Sequence, residues 1–90
     1  MPAKPISSPP ELTVAAVAEL HARLRAAVTG GEHASLDLAE VRRLDASGAQ
    51  LLLSAVRSGV LLLKPSEAVV ASVEDLGLTE ALDEAGGFTR

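Results

Sequence analysis

The stretch that decides the fold spans residues 44–53, Leu44-Asp45-Ala46-Ser47-Gly48-Ala49-Gln50-Leu51-Leu52-Leu53. It places short polar residues and a glycine directly before an apolar run, which is typical of a helix N-terminus. The pattern predicts a helix from about residue 47 to residue 57. Residues 34–38, just upstream, predict a buried strand with Leu36 and Leu38 on one face. A strand that leads through a short connector into an amphipathic helix is a building unit of α/β folds.

Further helices are predicted on both sides of this unit. The first covers Val14–Thr29, with Thr13 as a plausible N-cap and Gly30-Gly31 as its end. Its apolar residues recur mostly at spacings of three and four: Val17, Leu20, Leu24, Ala27 and Val28. The next helix is capped by Ser66, and its predicted buried stripe consists of Val69, Val70, Val73 and Leu76. Residues 78–82 predict a final short helix or turn.

The remaining segments define the sheet and the chain ends. Residues 60–63 are all apolar, which indicates a strand covered on both faces. Prolines restrict residues 1–10 to a poorly ordered segment or a short edge strand around Ile6. Residues 39–44 read as a connector in which Val41 turns inward, and residues 84–90 as a frayed tail. We therefore predict an α/β fold with a mixed, largely parallel sheet of about four strands flanked by amphipathic helices.

Composition limits the function classes. The chain has 90 residues, 48% of them hydrophobic, so it forms one small domain. A net charge of −4 and a single aromatic residue, Phe88, disfavour nucleic-acid binding. The lack of cysteine excludes disulfides and thiolate metal sites and suits the cytoplasm. Neither a secretory signal nor an apolar run of about 20 residues is present, so we expect a cytoplasmic protein without membrane insertion.

Two groups of residues resemble a known family, the STAS domain (sulfate transporter and anti-sigma factor antagonist). The first is Leu36-Asp37-Leu38-Ala39-Glu40-Val41, and the second is Leu44-Asp45-Ala46-Ser47-Gly48 followed by Leu51-Leu52-Leu53. The family pattern has a strand ending in Asp-Leu, a six-residue connector, and a motif such as Asp-Ser-Ser-Gly that opens a helix. The resemblance covers residues 11–83, and it implies a single STAS domain over that range.

The resemblance also implies a mechanism. Antagonists of anti-sigma factors in this family are switched by phosphorylation of the serine directly before the glycine, which is Ser47 here. The kinase is also the anti-sigma factor, so the implied partner is a protein. The implied partner-binding residues are Asp45, Ala46, Ser47, Gly48, Gln50 and Leu51. Other subgroups carry Thr where this chain has Ala46. They suggest an alternative, a non-phosphorylated scaffold that binds a chemotaxis component or the ATPase of a lipid-transport complex.

Structural roles compete with these functional ones. Ser47 and Gln50 have the spacing of a capping box, so Ser47 is equally well read as the N-cap. Asp37 and Asp45 are expected to hold loops by accepting backbone N–H bonds. Gly48 permits either a close approach to a partner or a tight turn.

A small hydrolase that uses Ser47 with His21 or His33 is a third hypothesis. We expect no enzymatic activity, however, because the Gly-x-Ser-x-Gly elbow is missing. Neither histidine has a ligand partner at metal-binding spacing, and Gly-rich phosphate loops are absent, so we expect neither a metal nor a cofactor.

Overall fold

The computed structural model describes residues 5–31 and 34–89, with side chains through residue 88. In chain order, these residues form β1 (Ile6–Ser7), β2 (Glu11–Leu12), α1 (Val14–Thr29), β3 (Ser35–Asp37), β4 (Arg43–Leu44), α2 (Ala46–Arg57), β5 (Leu61–Leu63), α3 (Glu67–Asp75), α4 (Thr79–Ala85) and β6 (Phe88–Thr89). His33 lies outside the described residues, as do residues 1–4 of the predicted N-terminal segment and the last residue of the predicted tail.

The strands form two sheets. A four-stranded sheet has the order β1-β3-β5-β6, and β2 pairs with β4 in a separate two-stranded sheet. Every one of these pairs is parallel. The predicted α/β architecture with a largely parallel sheet of about four strands is therefore confirmed, and β1 forms one edge of the larger sheet.

Sheet register explains the core. Ile6, Leu36, Leu62 and Phe88 are partners across the four strands and therefore share one face. Leu36 and Leu62 are fully buried, and the other two pack against the core. Helix α2, which begins at the candidate site, contacts β5, the strand that carries Leu62.

The prediction that residues 60–63 are covered on both faces was wrong. Successive strand residues point to opposite faces. Leu62 enters the core, whereas 49% of the surface of Leu61 is exposed.

The predicted connector, residues 39–44, contains a strand that the sequence pattern did not reveal. Val41 turns inward as predicted, with 2% exposed. Arg43–Leu44 forms β4, however, because it pairs in parallel with Glu11–Leu12 of β2. Both strands have only two residues, too short for a periodic pattern, and their partners lie far apart in the sequence.

The first helix has the predicted bounds, and the third differs in its buried face. In α3, Val69 and Val73 are buried, as their spacing of four requires. Val70 and Leu76, which were predicted in the same stripe, are 40% and 41% exposed.

The C-terminal segment is also a correction. Residues 84–90 were predicted to be frayed, but α4 continues to Ala85 and Phe88–Thr89 forms β6. Between them Gly86 and Gly87 have φ of 133° and 67°, which side-chain-bearing residues rarely adopt. This glycine pair turns the chain back so that Phe88 can pair with Leu62.

Ser66 connects α3 to the connector that precedes the site. Its hydroxyl accepts a hydrogen bond from Val69 N (3.2 Å) and donates one to the carbonyl oxygen of Val41 (2.7 Å). The first bond confirms the predicted cap. The second fixes α3 to the segment that leads into β4.

We predict that Ser66→Ala lowers the free energy of unfolding by about 1–2 kcal/mol, because both hydrogen bonds are lost. Ser54→Ala is the matched control, since Ser54 is exposed and makes no side-chain hydrogen bond within the described residues. Urea unfolding, monitored by circular dichroism, gives the free energy of unfolding of both variants. Equal stability of the two variants would contradict a structural role for Ser66.

Candidate functional site

The start of α2 is set by Asp45 rather than by Ser47. The helix begins at Ala46, and Asp45 is the N-cap, with φ −101° and ψ −176°. Its Oδ1 accepts a hydrogen bond of 3.0 Å from the backbone N–H of Gly48. The prediction of a capping box formed by Ser47 and Gln50 was therefore wrong, because the helix starts earlier and Ser47 is its second residue.

The same carboxylate also holds the start of α1. Asp45 Oδ2 accepts a hydrogen bond of 3.1 Å from Val14 N, the first residue of α1. Thr13 does occupy the N-cap position of that helix, but its side chain makes no capping bond. Asp45 therefore stabilises two helix N-termini that come from distant parts of the sequence.

Both aspartates have the predicted structural role. Asp45 accepts backbone N–H bonds at two helices, and Asp37 Oδ1 accepts one of 2.9 Å from Ala39 N. The hydrogen bond from Gly48 N is the main cause that lowers the pKa of Asp45 below its usual 3.8; partial burial opposes it, and the bond from Val14 N adds to it. Asp45 is therefore ionised at neutral pH.

Gly48 has an internal reason to be glycine. A Cβ atom at this position would collide with the carbonyl oxygen of Leu12 and would lie 2.8 Å from Leu44 Cδ1. The first turn of α2 thus packs directly on the β2–β4 pair. Of the two predicted roles for Gly48, close approach applies, but the neighbour is this chain's own backbone.

The side chain of Ser47 is partly exposed and does not cap α2. Its side chain is half-buried, and its hydroxyl has no hydrogen-bond partner among the described residues. Ala46 and Gln50, beside it on the first turn, are exposed.

The six residues predicted to bind a partner therefore divide into two groups. Ala46, Ser47 and Gln50 lie at the surface, with Asp45 half-buried beside them. Gly48 and Leu51 are buried in the fold, and the predicted role of all six residues in partner binding stays a prediction.

Two arginines adjoin the start of α2. Arg42 and Arg43 line an open groove of 240 Å³ together with Thr13, Asp45 and Ser72 of α3. Arg43 Nη1 lies 3.5 Å from Glu11 Oε2, and both side chains are exposed, so this ion pair is weak and easily exchanged. No sequence pattern links Ser72 of α3 to this groove, so its position there was not predicted.

The hypothesis of a hydrolase that uses Ser47 can be compared with the position of His21 only, because His33 lies outside the described residues. His21 lies in the crevice between α1 and α2 together with Ser54 of α2 and Ser58, which directly follows this helix, rather than beside Ser47. In the described part of the chain, no three or more acidic or histidine side chains are placed to hold a metal ion. Within the same residues, no helix combines the length and the apolar character that a membrane span requires.

Comparison with known proteins agrees with this architecture. A family model described as "Mlab, STAS domain" matches residues 10–84. The chain belongs to the STAS domain family. This family includes anti-sigma factor antagonists and is generally regulatory and non-enzymatic, and its domains mediate protein–protein interactions. No curated protein and no solved structure gives a match.

We predict that Gly48→Ala destabilises this STAS domain by about 1–3 kcal/mol, because the added methyl group overpacks the contact with Leu12 and Leu44. A loss of stability would be informative, since replacing Gly by Ala inside a helix ordinarily raises the free energy of unfolding by about 0.5–1 kcal/mol. Gly30→Ala is the control: its Cβ would meet only ordinary contacts, starting at 3.4 Å from Ala26 O. Thermal unfolding measures the stability of both variants. A Gly48→Ala variant more stable than the parent would contradict the close contact between α2 and Leu12.

We also predict a pH-dependent effect of Asp45→Ala. The folded state lowers the pKa of Asp45, so its carboxylate stabilises the fold above the unfolded-state value of 3.8 and loses this effect as the pH falls through the lowered pKa. The variant is therefore less stable than the parent at pH 7, and the difference shrinks below pH 3.8. Asp75→Ala, at an exposed aspartate, is the control. A difference that stays constant into the acid range would rule out the double cap as its source.

Proposed function

We propose that this STAS domain is a cytoplasmic, non-enzymatic regulator that binds a protein partner through the exposed start of α2, and that phosphorylation of Ser47 controls this binding. The observation that carries the proposal is the free hydroxyl of Ser47. Because Asp45 caps the helix, Ser47 is not engaged in capping, and its side chain is partly exposed. The proposed partner is a kinase that also acts as an anti-sigma factor, in line with the family's antagonists.

A phosphate at Ser47 meets opposing local charges. It brings a charge of about −1.5 to −2 to the first turn of a helix, whose dipole favours an anion by about 0.3–1 kcal/mol. The ionised Asp45 two residues earlier repels it. Arg42 and Arg43, which adjoin Asp45 at the groove, provide compensating cations.

These local effects roughly offset one another, so modification leaves the fold intact. The effect falls on the partner, because a new like-charge contact at an interface costs several kcal/mol. The proposed switch therefore changes affinity rather than conformation.

A second candidate is a STAS scaffold that is not phosphorylated and that binds a chemotaxis component or a transporter ATPase. The matched family model favours the scaffold, because its description names Mlab and not an anti-sigma factor antagonist. Ala46 weighs against the subgroups that carry Thr at this position, since its side chain lacks a hydroxyl. The same surface serves both candidates, and Ser47 distinguishes them.

The deciding experiment is the intact mass of the protein recovered from its own host, followed by peptide mapping. We expect the mass increment of one phosphate on the peptide that contains Ser47, lost in Ser47→Ala and retained in Ser54→Ala. The Ser47→Ala variant should keep the parent stability to within about 0.5 kcal/mol, because Ser47 is not the cap. An unmodified Ser47 across growth and stress conditions would favour the scaffold.

A further inference from the structure

A second surface feature lies on the side of α3 away from Ser72. A groove of 480 Å³ runs between the turn after β5, helices α3 and α4, and the start of β6. Its floor consists of Val73 and Leu82, which are almost fully buried. Its size falls within the ~300–1,000 Å³ of ligand-binding pockets, so it can take a few apolar side chains.

The walls of this groove present apolar surface to the solvent. Val70 is 40% exposed and lines one wall. Pro65 and Phe88 are half-buried and complete the walls. Val70 belonged to the predicted buried stripe of α3, but the described residues leave 40% of its surface exposed.

The rim of the groove is charged. Glu74 and Asp83 are exposed, and neither makes a side-chain hydrogen bond or an ion pair within the described residues. Lys64, in the turn after β5, adds one positive charge. The immediate lining therefore carries one more negative than positive charge.

The two helices that form the groove, α3 and α4, add further negative charge around it. Neither α3 nor α4 contains Lys or Arg, and their acidic residues are Glu67, Glu74, Asp75, Glu80, Asp83 and Glu84. These make up half of the 12 acidic residues of the chain. Such a surface repels nucleic acid and the anionic leaflet of a membrane, and it attracts cationic peptides.

We propose that this groove binds a short basic amphipathic segment of a partner protein. Apolar side chains of the segment fill the space over Val73 and Leu82, and its Lys or Arg side chains pair with Glu74 and Asp83. Charge complementarity selects this occupant over an acidic or neutral one. The inference goes beyond the proposed function, because it assigns a second binding surface that does not include Ser47.

A second copy of this chain is the competing occupant. Helix α1 carries Arg23, Arg25 and the exposed Val28, which combine positive charge with apolar surface. Such a contact would join two different surfaces and continue from copy to copy. It would appear as concentration-dependent self-association.

The test uses the full chain and two synthetic peptides of about 14 residues, close to the length at which isolated helices become stable in water. One has Leu on one helical face and Lys on the other; the second carries Glu at every Lys position. Fluorescence anisotropy measures binding, and amide chemical shifts locate it. We expect saturable binding of the Lys peptide only, weaker at high salt, with shifts concentrated at Val70, Glu74 and Phe88.

The chain offers matched pairs of variants for this test. Glu74→Lys should weaken binding about fivefold, because it replaces an attraction at an exposed site with a repulsion. Asp75→Lys, the same change of charge at the neighbouring residue outside the groove, should have less effect. Val70→Ser should also weaken binding, whereas Leu76→Ser, at an equally exposed residue that does not line the groove, should not.

Three results would overturn the proposal. They are no saturable binding of the Lys peptide up to about 1 mM, equal binding of the Glu peptide, and equal effects within each matched pair of variants. Sedimentation that shows self-association abolished by Glu74→Lys would assign the groove to a second copy instead. Ser47→Ala should leave peptide binding unchanged, so failure here is distinguishable from failure of the phosphorylation switch. Circular dichroism confirms that each variant is folded.

Discussion

The bonds of one carboxylate, that of Asp45, connect the parts of this domain that carry its candidate function. Its two oxygen atoms accept N–H groups from α1 and from α2, so two helices that are separated in sequence start at the same place. The adjacent β2–β4 pair reinforces this arrangement, because it aligns the residues that precede each helix. Gly48 then allows the first turn of α2 to rest on Leu12 of that pair. The position of the exposed turn around Ser47 follows from these contacts rather than from the sequence of the turn alone.

Asp45 caps α2, and the proposed phosphorylation site, Ser47, lies two residues later. A hydroxyl that capped α2 would be engaged with the backbone, and modifying it would weaken the helix. With Asp45 as the cap, the Ser47 hydroxyl makes no hydrogen bond within the described residues. A cap with a carboxylate has an electrostatic disadvantage, because the ionised Asp45 would repel a phosphate added at Ser47. Arg42 and Arg43 at the neighbouring groove would offset this repulsion, and within the described residues the side chain of Arg43 pairs only with Glu11, in a weak ion pair.

Local pattern was sufficient for most of the architecture and insufficient for the details of the site. The bounds of α1 and the α/β class followed from apolar spacing, because long amphipathic helices carry a strong periodic signal. The β2–β4 pair carried no such signal, since each strand has two residues and depends on its distant partner. The sequence pattern likewise did not show whether Asp45 or Ser47 caps α2. Both residue types are good caps, and Asp45 has the additional bond from Val14 N, a contact between distant residues. The exposure of Val70 depended on where α4 and β6 pack, which no pattern within α3 reveals.

Helix α3 links the two surfaces of the domain. Ser72 borders the groove beside Asp45, whereas Val70 and Glu74 face the groove formed with α4 and β6. Between these sides, Val69 and Val73 anchor the helix in the core, and Ser66 fixes its start to Val41 just before β4. The two surfaces on either side of this helix differ in charge: Arg42 and Arg43 border the groove near the start of α2, and Glu74 and Asp83 border the second groove. One partner that contacts both surfaces would need an acidic and a basic region in matching positions. Two separate partners would bind without competing for the same residues.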